Sequence, residues 1–393
     1  MKDGSIRQNV YEGMPVNPHE VLVVAGEASG DLHGSRLISE LRRRVPGLTT
    51  FGLGGDEMQA AGLEAVAHSS EVSVVGITEV LKVLPRAREV FAGLLKEVDR
   101  RRPALAVLID FPDFNLRLAR ELKARGLEVV YYISPQVWAW RRGRVKTIAR
   151  LVDRMLVLFP FETDFYRGYG VDVVHVGHPL VDEVPELPQA WDRGEPDGPY
   201  RLALLPGSRA SEVEALLPTL LEAVRRLAAE LPIEARVIQA PTIASELLEE
   251  HVDLSGLPVR ILSGDRFAAV ADSHLALCAS GTATLEVGLL GTPMVMVYRL
   301  AGWTYALGKI LVRLPNVSLV NLVLGRRVVP ELIQSDASPE RIAAEAARLL
   351  TDAAARNDMR TALGELRGRL GEGGASGRAA AEVAAMLAEA TRN

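Results

Sequence analysis

The sequence predicts an α/β protein of two doubly wound parallel-sheet domains in tandem, facing an interdomain cleft. Apolar β-rich runs alternate with helical patterns from Glu20 onward, the order a parallel sheet requires because each crossover is a helix. The alternation stops in VPELPQAWDRGEPDGP, Val184 to Pro199, a stretch rich in proline, acid and glycine, and then restarts. At 393 residues the chain is too long for one ordinary core, and roughly 150 residues per domain supports a division in two.

Residues 1–18 read as a polar tail. The N-terminal domain, 19–188, then runs VLVVAG with a helix from Asp31, ALAVLID with a helix from Phe114, LEVVYYI with a basic helix, RMLVLF with a helix from Glu162, and VDVVHV. The C-terminal domain, 189–365, repeats the scheme with RLALLPGS, IEARVIQA, LPVRILSG, HLALCASG and TPMVMVYR. Residues 366–393 read as an Ala-, Glu- and Arg-rich helical segment broken by GEGGASG at 371–377, with the option of packing back on the N-terminal domain. In open sheets of this kind ligands bind outside the carboxyl ends of the strands, so strand ends are where chemistry is sought.

Composition excludes several function classes. With 48% hydrophobic and 24% charged residues the chain is globular, and a net charge of −5 gives no global field toward nucleic acid. Its one cysteine, Cys278, sits in an apolar strand and can form no internal disulfide, which fits a reducing compartment. No run of about 18 apolar residues occurs, and the N-terminus lacks the order of a signal peptide. The expectation is a cytoplasmic protein with no membrane span.

The strand HLALCA runs into Ser280, Gly281 and Thr282 and then a helix carrying Glu286 in its second turn. Open N–H groups at such a helix start seat phosphate, and a carboxylate one turn deeper can accept the two hydroxyls of a ribose. Ser280 could equally be only an N-cap. A second junction, LPGSRASEVEALL, places Ser208 and Arg209 at the start of a long amphipathic helix, where a cation opposes the helix dipole and calls for an anion. Two such seats in one half of the chain point to a nucleoside diphosphate.

In the first half, GEASGDLHG matches neither a phosphate loop nor a dinucleotide fingerprint, which argues against an NTPase and a dehydrogenase. It reads as a tight turn, or as a cleft wall lined by Ser29, Gly30 and Asp31. Asp110 ends the apolar strand ALAVLID, a partly desolvated position suited to a general base, while Asp113 reads as the N-cap of the next helix. A structural Asp110 is the competing reading. SPQVWAWRRGR joins Gln136, Trp138 and Trp140 to Arg141, Arg142 and Arg144, a pattern for single-stranded nucleic acid, for a lipid surface or simply for a solvated basic helix, and its place at a strand end favours an anionic, amphiphilic substrate. His175 and His178 lack the companions of a metal set, and no Asp-x-Asp pair is present, so neither a metal nor a cofactor is expected.

GEASGDLHG, IDFPDFN, SPQVWAW, FPFE, GHPLVD, LPGSR, ASGTATLE and VSLVNLVLGR occur in the order found in lipid-A-disaccharide synthases, and from about Val21 to Gln334 the chain resembles that family. The resemblance implies two Rossmann-like domains in the glycosyltransferase B fold and an inverting, metal-independent transfer. The substrates implied are UDP-2,3-diacylglucosamine and 2,3-diacylglucosamine 1-phosphate, the product a β-1,6-linked disaccharide 1-phosphate, and the place the inner face of the cytoplasmic membrane. Carried over residue by residue, it makes Asp110 the base and adds Asn321 to the UDP-sugar set of Ser208, Arg209, Ser280, Gly281, Thr282 and Glu286. Trp140, Arg141, Arg142 and Arg144 are then candidates for lipid phosphate or membrane contact, and Ser29, Gly30, Asp31, Gln136 and Trp138 for the acceptor side. A homodimer is compatible with the sequence, which does not fix the oligomeric state.

Overall fold

The computed structural model describes residues 16–72, 80–138, 142–299 and 316–390. The chain divides into two compact units, one holding the residues up to Pro179 and from Gly373 on, the other Leu180–Glu372. Each is an α/β unit around a sheet whose pairings are all parallel.

The first sheet contains β1 (Asn17–Ala25), β2 (Thr49–Gly54), β3 (Leu63–His68), β4 (Pro103–Ile109), β5 (Glu128–Tyr132), β6 (Arg154–Val157) and β7 (Val173–His175), in the order β3-β2-β1-β4-β5-β6-β7. Strand order reverses between β1 and β4. Val21, Val23 and Ala25 of β1 pack with Leu37, Ile38 and Leu41 of the helix Ala28–Arg44, whereas Leu22 and Val24 share a core with Leu118, Ala119 and Leu122 of the helix Pro112–Ala124. The helices that follow β1 and β4 therefore cover opposite faces. Between them the carboxyl ends of the two strands stay uncovered by either crossover, which is the ligand position of a doubly wound sheet. β4 is buried along its whole length, as its unbroken apolar run requires of a strand covered on both faces.

The second sheet contains β8 (Tyr200–Leu205), β9 (Ile233–Ile238), β10 (Arg260–Leu262), β11 (Leu275–Ala279), β12 (Met294–Tyr298) and β13 (Glu331–Ile333), in the order β10-β9-β8-β11-β12-β13. Its reversal falls between β8 and β11. The two junctions singled out as anion seats follow these two strands.

Three strands lie outside the runs picked out from sequence: β2, β3 and β13. β2 is TTFGLG, in which Gly52 lies so close to β1 that a Cβ there would stand 2.1 Å from the Val23 carbonyl oxygen. That glycine is a packing requirement, but in sequence it weakens the strand signal. β13 is only three residues long. At the N-terminus, β1 begins at Asn17, whose amide bonds to the Arg102 carbonyl at 2.7 Å, so the polar tail ends before the strand and not at residue 18.

The Val184–Pro199 stretch belongs to the second unit, and the change of unit falls at Pro179–Leu180. Its anchor is Trp191, a buried side chain whose indole N–H donates to the His274 carbonyl at 2.7 Å and whose ring carries the Arg356 guanidinium 3.7 Å from its centroid. Proline, acid and glycine give the composition of a linker, yet Trp191, with Arg360 on Gln189 and Asp192 and Arg367 on the Val184 carbonyl, fastens it. The C-terminal segment is also split. Leu366–Leu370 stays in the second unit, whereas the helix Ala375–Ala390 joins the first, with Ala379, Ala380, Val383, Met386 and Leu387 in the core beside the helix Ala28–Arg44.

Trp191→Ala removes a buried aromatic and leaves the His274 carbonyl without its donor, so the second unit is expected to lose about 3–5 kcal/mol. The urea transition of that unit, followed by circular dichroism and limited proteolysis of the 184–199 stretch, checks it.

Candidate active site

In the first unit the site is built around Asp110, the residue after β4. Asp110 and Phe111 both have left-handed backbone, with φ of 44° and 48°. Consecutive non-glycine residues in that region cost about 1–3 kcal/mol each and persist only where their surroundings hold them. Here the Asp110 amide donates to the Tyr132 carbonyl at 3.0 Å, while its carbonyl accepts from the Tyr131 hydroxyl at 2.5 Å and Asn115 Nδ2 at 2.8 Å. Phe111 lies over Gly26, where a Cβ would stand 2.3 Å from its ring, and stacks on Phe114 at 5.3 Å. Only the carboxylate of Asp110 is left for chemistry. Burial, reinforced by the nearby charge of Glu27 and opposed by a bond from the Phe111 amide, pushes its pKa up to about 6. A carboxylate with that affinity for protons is mostly ionised at neutral pH and strong enough to serve as a base.

Other expectations for this unit are corrected. Asp31 does not line a cleft: it is buried within the first helix, and its carboxylate accepts the amides of Gly55, Glu57 and Met58 at 2.7, 3.1 and 3.1 Å. It thereby caps the helix Asp56–Ala60 from a distance. The helix it was expected to start begins earlier, at Ala28. Gly30 is buried against Ala25 and Ile109, and Ser29 is exposed. Asp113 is not an N-cap, because the helix starts at Pro112, and its carboxylate binds Arg144 at 2.6 Å. Arg144 is thus already committed to a protein partner. Trp138 is not at a surface: it is 6% exposed, and its indole N–H donates to Glu162 at 3.0 Å. Gln136, two residues before it, is exposed. Trp140 and Arg141 lie outside the described residues, and Arg142 opens a short 3-10 turn, Arg142–Arg144. His178 is buried and neutral, its pKa pushed down to about 3 by desolvation.

In the second unit, Gly281 rather than Ser280 occupies the N-cap of the helix Thr282–Leu289, with φ of 135° and no side chain capping the first turn. Glu286 sits one turn in, half-buried, with Arg266 Nη2 at 3.1 Å from its Oε1. Burial raises its pKa, with Glu183 adding to the shift and Arg266 opposing it. At the other junction Arg209 is itself the N-cap of the helix Ala210–Ala228, and Glu212 in the first turn answers its charge. Glu212 Oε1 accepts from Arg209 Nη1 at 3.0 Å and Oε2 from the Ser208 amide at 3.0 Å. The cation that appeared to need an external anion has an internal one, on an exposed and therefore weak pair.

Asn321 is the clearest correction. It is fully buried, its amide donates to the Val329 carbonyl and Glu331, and its oxygen accepts the Val328 and Val329 amides at 2.8 and 2.9 Å. It joins the helix Leu319–Leu324 to β13 and has no capacity left for a nucleotide. Sequence reasoning also passed over Glu27, Glu212 and Arg266. Glu212 was legible as a carboxylate three residues after a helix cap. Arg266 was not, since it stands 20 residues before its partner.

Two parallel-sheet α/β units, each with its strand order reversing at one point, have the architecture of the glycosyltransferase B fold. Solved structures share the fold: CalG4, the calicheamicin glycosyltransferase, at 19% identity and a TM-score of 0.57 (95% of this chain, 99% of that one), and MurG of Acinetobacter baumannii at 14% and 0.56 (95% and 100%). The family described as lipid-A-disaccharide synthetase matches residues 21–379. The lipid-A-disaccharide synthase of Myxococcus xanthus is 49% identical over 377 residues, covering 94% of this chain and 98% of that protein, and that of Geobacter sulfurreducens is 44% identical, covering 94% and 97%. The chain belongs to the lipid-A-disaccharide synthase family.

Because the fold raises the Asp110 pKa from 3.8 to about 6, the protonated form is the one it favours. That stability is fully present below about pH 4 and is lost as pH rises through about 6. Asp110→Asn, which suits left-handed backbone and never ionises, is therefore expected to exceed the parent in stability at pH 7.5 by up to about 3 kcal/mol, with the gap closing toward pH 4. Denaturant titrations of both proteins at the two pH values check this.

Proposed function

We propose that this glycosyltransferase transfers 2,3-diacylglucosamine from its UDP carrier to the 6-hydroxyl of 2,3-diacylglucosamine 1-phosphate, giving the β-1,6-linked disaccharide 1-phosphate and UDP. Asp110 is the observation that carries the mechanism. Its carboxylate accepts the proton of the acceptor hydroxyl as that oxygen attacks the anomeric carbon, and UDP departs from the opposite side, so one displacement inverts the centre. The diphosphate is met by the uncapped start of the helix Thr282–Leu289 and by Ser208 and Arg209, with Glu286 on the ribose. Substrate phosphate displaces Glu212 from Arg209, a small cost because the arginine side chain is 78% exposed.

Asp110→Asn is expected to retain UDP binding while kcat falls by roughly 10²–10⁴-fold, and the parent's kcat/KM is expected to fall on the acid side with a midpoint near pH 6. Arg209→Ala is expected instead to weaken UDP binding together with turnover. Incubation with both acylated substrates and mass analysis of the product tests the reaction; near-parental turnover by Asp110→Asn places the base elsewhere.

Both proposed substrates carry acyl chains, so the enzyme meets them at a bilayer surface, the inner face of the cytoplasmic membrane. No helix among the described residues is long and apolar enough to cross a membrane. Arg144 is bonded to Asp113, and we assign the lipid contact to its sequence neighbours Arg141 and Arg142. Reversing both to Glu is expected to weaken flotation with anionic vesicles, and salt to weaken that of the parent. Unchanged flotation after the reversal assigns binding to another surface.

A further inference from the structure

We propose that Glu162 is a positioning residue for the sugar acceptor, holding the loop Ser134–Trp138 in place beside Asp110; the inference rests on the reaction proposed above. Glu162 is the third residue of the helix Pro160–Arg167 and is 3% exposed. Its Oε1 accepts both the Ser134 hydroxyl and the Trp138 indole N–H, the latter at 3.0 Å, and its Oε2 accepts the Phe159 amide at 3.1 Å. One turn along the same helix, the Tyr166 hydroxyl donates to the Pro135 carbonyl at 3.3 Å. The Trp138 ring stands edge-on to Phe161 at 4.9 Å, and Phe161 stacks on Phe159 at 5.4 Å. Both ends of a five-residue loop are thus tied to one carboxyl group and its middle to the same helix.

The loop has little support of its own. It leaves β5 through Ile133, a β-branched residue at φ 66°, and its internal backbone bond is Val137 N–H to the Pro135 carbonyl. Its position bears on the reaction because it starts where β5 ends, next to β4: the Tyr132 carbonyl, just before the loop, receives the Asp110 amide. An acceptor hydroxyl within reach of Asp110 therefore approaches alongside this loop, whose exposed residue is Gln136, between the two ties.

A purely structural role for Glu162 would be a poor solution. Burial pushes its pKa up to about 7 against the pull of Ser134, Phe159 and Trp138, so ionising it is costly, and apolar packing would hold a helix to a sheet at no such cost. What the carboxyl provides is convergence: two acceptor oxygens that fix a hydroxyl, an indole and an amide in one geometry, which a methyl group cannot do. Glutamine keeps the length and volume but replaces one acceptor oxygen with an NH₂ that faces donors.

Steady-state kinetics with each substrate varied in turn test the proposal on the full chain, with UDP titration and circular dichroism reporting folding. Glu162→Gln is expected to raise the acceptor KM by at least about tenfold, while donor KM and UDP affinity stay within about twofold of the parent. Trp138→Phe, which keeps a ring but removes one N–H, is expected to show a smaller shift of the same kind and to add little when combined with Glu162→Gln. If Glu162→Gln does not fold, Trp138→Phe and Ser134→Ala carry the test by the same split. Parental acceptor KM in these variants, or a parallel loss for donor and acceptor together with the melting temperature, overturns the proposal. A parent that forms no disaccharide from these substrates overturns the reaction itself, and this inference with it.

Discussion

The parallel pairing of β1 with β4 is the constraint on which the first unit depends. Val21–Ala25 lies in register against Leu105–Ile109, and the two crossover helices leave on opposite faces. That arrangement opens the sheet at one point, and it brings Gly26, Glu27 and Asp110 together there. The same topology recurs between β8 and β11, where Ser208 and Ser280 end up at neighbouring strand ends. One rule of chain topology thus opens each sheet at a single point before any side-chain chemistry is considered.

The first of these points carries a cost in stability. A buried carboxylate and two consecutive left-handed residues are all unfavourable, and the Tyr131, Asn115 and Tyr132 bonds hold them in place. Because those bonds engage the Asp110 backbone, the carboxyl group is aimed without being consumed. Asp31 illustrates the opposite outcome. It too lies near the end of β1, but it is buried and its oxygens accept three amides, so it shapes the loop after β2.

Charges at the two helix starts of the second unit are balanced within the chain. Glu212 occupies Arg209 and the Ser208 amide, and Arg266 occupies Glu286. The exposed Arg209 pair is weak, whereas the half-buried Glu286 pair is better held. A cation at a helix start is therefore not evidence of a ligand until its own helix has been searched for a carboxylate.

Alternating apolar runs were enough to read all strands but β2, β3 and β13, the glycine-bearing junctions and the place of Asp110 at a strand end, because strand periodicity and a charged residue at the end of an apolar run are local properties. The family was legible for the same reason, in eight short motifs kept in order. Direction was not legible. Trp138, Asp31 and Asn321 have the chemistry of ligands, yet each is turned inward to satisfy partners beyond its own element: Glu162, the Gly55–Met58 amides and the Val328–Glu331 segment. The Pro-rich 184–199 stretch has the composition of a linker, and Trp191 decides otherwise by reaching His274. Sequence determined which groups were available and where the strands end; tertiary structure decided which groups were already spent, since buried polar atoms must find partners and those partners come from elsewhere in the chain.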